Sequence, residues 1–208
     1  MIKKRYDKAG PAVAEAMRKR GFEAYYVSTA EEAREKALEL IPENSVVSWG
    51  GSITIDEIGL KEAVISRGCK VINRDAVESR EEKMELMRQA LTCDVFLMSA
   101  NAISEDGQLV NIDGTGNRVA ALCFGPKEVI VVAGMNKVAG SLEEAYSRAR
   151  KFAAPVNAQR FDFETPCSKT GMCADCLSPQ CICSQMVVTR RTSGGRIKVI
   201  LVGEDLGF

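Results

Sequence analysis

Ser45-Val46-Val47-Ser48-Trp49-Gly50-Gly51-Ser52-Ile53-Thr54 runs from an apolar stretch through two glycines into a helix start. A short apolar run bounded by turn residues reads as a buried strand. The glycines allow close backbone approach. The free N–H groups and dipole of a helix beginning near Thr54 favour an anion at this turn. The Ser52 and Thr54 hydroxyls would add hydrogen bonds to it. Either also suits an ordinary helix cap.

Outward from this segment the same alternation repeats. On the N-terminal side lie an amphipathic helix over 8–20, with Pro11 in its first turn and Gly21 as its stop, and a strand over 23–27. A helix from Ser28 to about Ile41 follows, Ser28 and Glu31 being spaced as a capping box. On the C-terminal side come a helix over 54–66, strands over 69–73 and 94–99 with a helix over 80–91 between them, and a hairpin over 103–112 around Asp106-Gly107. A helix over 115–124, the most apolar strand over 128–133 and a helix over 141–152 complete the series. The pattern predicts an α/β fold with a mainly parallel sheet flanked by helices. Two more strands, 186–190 and 196–202, flank Ser193-Gly194-Gly195 and are expected to return to that sheet. Residues 1–208 read as one domain of this class, with a Cys-rich loop or lobe at about 164–184.

Twenty-eight Lys and Arg balance 28 Asp and Glu, so the composition gives no basis for a nucleic-acid or membrane surface. No apolar run suits a membrane span, and the charged N-terminus lacks a signal-peptide stretch, so a cytoplasmic location is the default expectation. The chain has no histidine, which excludes Ser-His-Asp and Cys-His nucleophile pairs and every His-ligated metal site. Of eight cysteines, Cys167, Cys173, Cys176, Cys181 and Cys183 fall within 17 residues, where random placement would leave fewer than one. Such a cluster in a cytosolic chain points to metal before disulfide. Four thiolates suit tetrahedral zinc or an iron–sulfur cluster, and the spacing does not decide between them. Free thiols or one regulatory disulfide remain the competing reading.

Asn101 to Arg118 gathers Asn101, Glu105, Asp106, Asn111, Asp113, Gly114, Thr115, Gly116, Asn117 and Arg118 after a strand end. In open α/β sheets ligands collect beyond the carboxyl ends of strands. Asp113-Gly114-Thr115-Gly116-Asn117 reads as a second anion loop, and Arg118 as a clamp for carboxylate or phosphate. Asn136 and Lys137 directly follow strand 128–133 and are expected to face the same mouth. Glu204 and Asp205 follow the last strand and read as a charged, frayed tail.

Trp49-Gly50-Gly51-Ser52, the run from Asn101 to Ala120, and Val202-Gly203-Glu204-Asp205-Leu206-Gly207 resemble the lactate-utilisation (LUD) domain family. The resemblance covers nearly the whole chain. It implies a fold like the isomerase, CoA-transferase and ribose-phosphate-isomerase superfamily, where small anionic or phosphorylated ligands bind at strand-end loops. Similar members carry cysteines matching Cys167, Cys173, Cys176 and Cys183, which makes these the implied metal ligands and Cys181 the spare. The implied role is a component of lactate or related 2-hydroxy-acid oxidation, with a 4Fe-4S cluster and partner subunits. No Gly-x-Gly-x-x-Gly fingerprint is present, so a nicotinamide or flavin is expected on a partner.

Two other readings stand beside it. One is a carboxylate enzyme of CoA-transferase or sugar-phosphate-isomerase type, with Glu105 or Asp113 as nucleophile or base and Lys137 beside it. The other is a non-catalytic ligand-binding or regulatory module with structural zinc. A homodimer is compatible with all three.

Overall fold

The computed structural model describes all 208 residues. In chain order, α1 (Ile2–Lys19), β1 (Glu23–Val27), α2 (Ala30–Leu40) and β2 (Val46–Trp49) come first. They are followed by α3 (Ile53–Glu57), α4 (Leu60–Ser66), β3 (Lys70–Ile72), α5 (Arg80–Gln89) and β4 (Val95–Met98). The hairpin is β5 (Ala102–Ser104) and β6 (Leu109–Asp113), and α6 (Asn117–Cys123), β7 (Glu128–Gly134) and β8 (Val138–Ala139) succeed it. α7 (Leu142–Arg148), a π-helical turn (Ala149–Ala153), α8 (Ala154–Ala158), α9 (Pro166–Thr170), β9 (Gln185–Thr189) and β10 (Ile197–Val202) end the chain.

A six-stranded sheet in the order β1-β10-β7-β4-β2-β3 is parallel throughout. Its strands are apolar on both faces because helices cover both. In β7, Val129, Val131 and Ala133 face a core shared with Val13, Met17 and Leu122, while Ile130 and Val132 face Ala33, Ala37, Ile55 and Leu60. A smaller four-stranded sheet, β8-β5-β6-β9, lies beside it. Ile103 and Leu109 join its inner face to the first core. Ala102, Val110 and Ile112 on the other face pack against Ala145 and Ala149, with Cys183 at their margin. No helix is long and apolar enough to cross a membrane.

The α/β alternation and the hairpin are as expected, but the two last strands part company. β10 enters the main sheet between β1 and β7, whereas β9 pairs antiparallel with β6 at the edge of the small sheet. The physical difference is burial: β10 is almost fully enclosed, while Met186 and Val188 of β9 stay exposed.

Other boundaries move as well. α1 begins six residues before the expected 8, which puts Pro11 inside the helix on an exposed face. The helix expected over 54–66 is broken at Gly59, whose φ of 64° is left-handed. The capping box is Thr29 with Glu32 rather than Ser28 with Glu31.

The C-terminal tail is tied down rather than frayed. The Tyr6 hydroxyl donates to Asp205 at 2.7 Å, the Ala30 N–H donates to Glu204 at 3.2 Å, and Leu206 is buried.

Neighbouring residues of β10 point into opposite cores, Leu201 into the first and Ile200 into the second. Leu201→Ala and Ile200→Ala should each cost roughly 2–5 kcal/mol in urea denaturation. Val188→Ala on the exposed edge strand should cost under about 1 kcal/mol. A comparable loss at Val188 would overturn the edge placement of β9.

Candidate functional site

The carboxyl ends of β2, β4, β7 and β10 open on one side of the main sheet, and the end of β6 with the Cys-rich lobe lies over them. Between them is a cavity of about 260 Å3. Its wall includes Gly51, Ser52 and Thr54 after β2, Asn101, Asp113, Gly114, Thr115 and Asn117, together with Arg118 and Lys137. The two loops singled out in the sequence and Lys137 therefore meet at one place.

Lys137 lies in the turn after β7 and is only 3% exposed. Its ammonium donates to Thr54 Oγ1 at 2.8 Å and to Ser99 Oγ at 3.0 Å, and it has no carboxylate in ion-pair contact. The Thr54 hydroxyl in turn donates to the Leu206 carbonyl at 3.3 Å, so the tail helps close this end. Burial, with the guanidiniums of Arg148 and Arg118 adding to it and the more distant Glu57 carboxylate opposing it, pulls Lys137 down from 10.5 to about 7.

Arg118 is 9% exposed and threads through the site. It donates to the carbonyls of Ser99 at 3.4 Å and Ile112 at 2.6 Å and to Asn101 Oδ1 at 3.0 Å. Asn101 Oδ1 also accepts the Ile112 N–H at 2.9 Å. Arg118 thus acts as a strut, not as a free clamp.

The glycine pair has a definite steric cause. A Cβ on Gly50 would sit 3.0 Å from Arg118 Cδ, and one on Gly51 would sit 2.7 Å from Arg74 Nη2. The glycines admit two arginine side chains. Gly114 likewise faces the Ile182 backbone of the Cys-rich lobe, where a Cβ would come within 3.3 Å. Gly116 has φ 86° immediately before α6.

Both helix starts are capped from within the chain. Ser52 Oγ accepts the Ile55 N–H at 3.3 Å. Asp113 Oδ2 accepts the N–H groups of Arg118 at 2.9 Å and Val119 at 3.1 Å. The positive character of the cavity therefore comes from side chains: Lys137, Arg118, Arg74 and Arg160 against Asp113 alone.

Five residues expected at the site do not line the cavity: Gly50 and Gly116 adjoin its loops, and Glu105, Asn136 and Asn111 serve elsewhere. Glu105 is half exposed, outside the cavity wall, with its carboxylate 3.7 Å from Arg5. Asn136 holds the tail, accepting from the Leu206 N–H and donating to the Gly207 carbonyl, both at 3.2 Å. Asn111 is fully buried on β6, and its carboxamide has no hydrogen-bond partner. Conversely, sequence reading passed over Arg74, Ser99, Arg160 and Ile182. Arg74 and Ser99 follow strands β3 and β4, so the strand-end rule could have found them. Arg160 lies beyond α8 and had no such signal.

The five lobe cysteines carry no disulfide. Cys181 stands beside Cys176 and Cys183, and Cys183 is pushed up to about 12, first by burial and then by its neighbouring thiols. Arg150 reaches within 4.0 Å of Cys173, and the Thr165 hydroxyl lies 3.3 Å from Cys167. An all-sulfur donor set fits a soft metal or cluster. No three Cys, Asp or Glu side chains converge there as a ready-made metal centre.

The sign of the Lys137 effect is defined. Below pH 7 the amine is charged in both states, and the folded protein bears the full cost of burial. Between about 7 and 10.5 only the unfolded chain keeps the proton, so stability rises with pH across that window. Lys137→Met removes this dependence. Whatever its fixed offset from the lost hydrogen bonds, the stability difference should move in the parent's favour as urea denaturation is taken from pH 6 to pH 10. A difference that does not change with pH would refute the buried amine.

Comparison with known proteins agrees with this architecture. A DUF162 family protein from Deinococcus radiodurans is similar over 94% of this chain and 97% of its own, with a TM-score of 0.55 and 16% identity, which bears on fold alone. Ribose 5-phosphate isomerase A from Neisseria gonorrhoeae matches over 54% of each chain at 19% identity and a TM-score of 0.35. The enzyme from Methanocaldococcus jannaschii matches over 56% of each, also at 19% and 0.35. Among curated proteins no match is found. The family model for the LUD domain matches residues 11–202, and the chain belongs to that family.

Proposed function

We propose that this chain binds a small 2-hydroxy or 2-oxo carboxylate in the cavity at the strand ends and serves as a component of lactate utilisation. One observation carries the reading: Lys137 is buried with only hydroxyl hydrogen-bond partners, in a cavity whose cationic side chains outnumber its one acidic side chain. A buried charge without a counter-ion is costly, and a bound carboxylate would supply one. The carboxylate would take the Lys137 ammonium and the Thr54 and Ser99 hydroxyls, in the field of Arg118. Asp113 is committed to capping α6 and Glu105 lies outside the cavity, so nothing favours the carboxylate-nucleophile reading.

Cys167, Cys173, Cys176 and Cys183 are the residues proposed to hold a 4Fe-4S cluster, with zinc as the alternative. Such a cluster, when bound, would supply one-electron transfer toward a partner subunit. This chain's part is to bind and orient the acid, exclude water behind the tail and Ile182, and hold the proton at Lys137 Nζ.

Calorimetry should detect lactate or pyruvate binding that weakens as pH rises above 7, where Lys137 loses its charge. Lys137→Met should weaken binding at pH 6 by at least about tenfold, the worth of one charge-assisted contact. Binding unaffected by that variant would refute the site.

Protein purified without oxygen should contain iron and acid-labile sulfide, lost in Cys173→Ser and kept in Cys181→Ser. Zinc without sulfide would favour a structural centre.

A further inference from the structure

The cations of the cavity are spread through its depth, and that spread bears on which anion it takes. Lys137 and Arg118 occupy the buried end. Arg118 has already given three of its four terminal N–H groups, to Ser99, Asn101 and Ile112. Arg74 is partly exposed on the wall. Its Nε–H has no hydrogen-bond acceptor, and its one carboxylate neighbour is Asp75 at 3.5 Å. Asp75 is itself engaged, accepting the Trp49 indole N–H at 3.0 Å and pairing with Lys61 at 2.9 Å. Arg160 is exposed at the mouth, donates to Asn157 Oδ1 at 3.3 Å and rests 5.9 Å from the Phe161 ring centre, with no carboxylate partner.

A single carboxylate at Lys137 leaves Arg160 without an anionic partner and Arg74 with only Asp75, which it shares with Trp49 and Lys61.

We infer that the cavity is built for a short acid with two separated anionic groups, a carboxylate at the Lys137 end and a second carboxylate or phosphate met by Arg74 and Arg160. This inference rests on the anion-site reading above. Planar guanidinium forks suit either second group, because each offers paired N–H donors to paired oxygens.

The test is calorimetry on the full chain at constant ionic strength, with lactate, malate, 2-phosphoglycolate and inorganic phosphate. At least one two-ended acid should bind at least about tenfold tighter than lactate, as one added charge-assisted contact predicts. Preference between malate and 2-phosphoglycolate identifies the second group. Arg160→Gln alters an exposed side chain and should reduce the affinity ratio of that acid to lactate toward one; Arg74→Gln should act in the same direction. Lactate binding with no gain from a second anionic group overturns the inference alone. So does a gain that neither variant reduces, or inorganic phosphate binding as tightly as the two-ended acids. Binding of none of the four overturns the anion site itself and the inference with it.

Discussion

The pairing of β10 between β1 and β7 is the constraint on which the rest depends. Residues 197–202 form the last strand in the chain yet the second in the sheet, paired on one side with residues 23–27 and on the other with 129–134. Without that strand β1 has no sheet to join. The same insertion delivers residues 203–208 to the strand ends, where Thr54 and Asn136 bind the tail. The closed end of the cavity is thus a consequence of the strand order.

The site concentrates positive charge where the fold offers little negative charge to meet it. The whole chain is electrically balanced, yet Lys137, Arg118, Arg74 and Arg160 face one cavity carboxylate. Much of the acid elsewhere is spent on the surface, as in the pairs of Lys36 with Glu39 and Lys127 with Asp94. A cation kept in a low-dielectric site without a partner weakens the folded state, and an anionic ligand offsets that cost. The Cys-rich lobe belongs to the same construction. The Ser184 N–H donates to the Asp113 carbonyl at 3.0 Å, and Ile182 lies against Gly114, so the segment bearing Cys181 and Cys183 also forms part of the cavity wall.

Legibility in the sequence followed how local each cause was. The strand–Gly-Gly–helix segment and the Asp106-Gly107 hairpin were readable because a few adjacent residues dictate them. Lys137 was readable as a strand-end residue, but its burial was not, since the groups enclosing it come from residues 54, 99 and 206. The glycine pair was found for an incomplete reason: two glycines signal close approach, but not that the approaching groups are Arg74 and Arg118. Glu105 was misleading because a polar residue two positions from a tight turn looks the same whether it faces the mouth or Arg5.

By itself, the sequence determined the α/β class, the parallel sheet, the absence of histidine chemistry, the gathering of five thiols and the two loops at the mouth. These depend on periodicity, composition and turn residues, each contained within a short window. Only the tertiary structure decided that β9 and β10 part to different sheets, that Arg160 comes to the cavity, that Arg118 is a strut and that Asn136 holds the tail. Each of these is settled by which distant groups compete for the same hydrogen bonds and the same buried volume, and no local pattern records that competition.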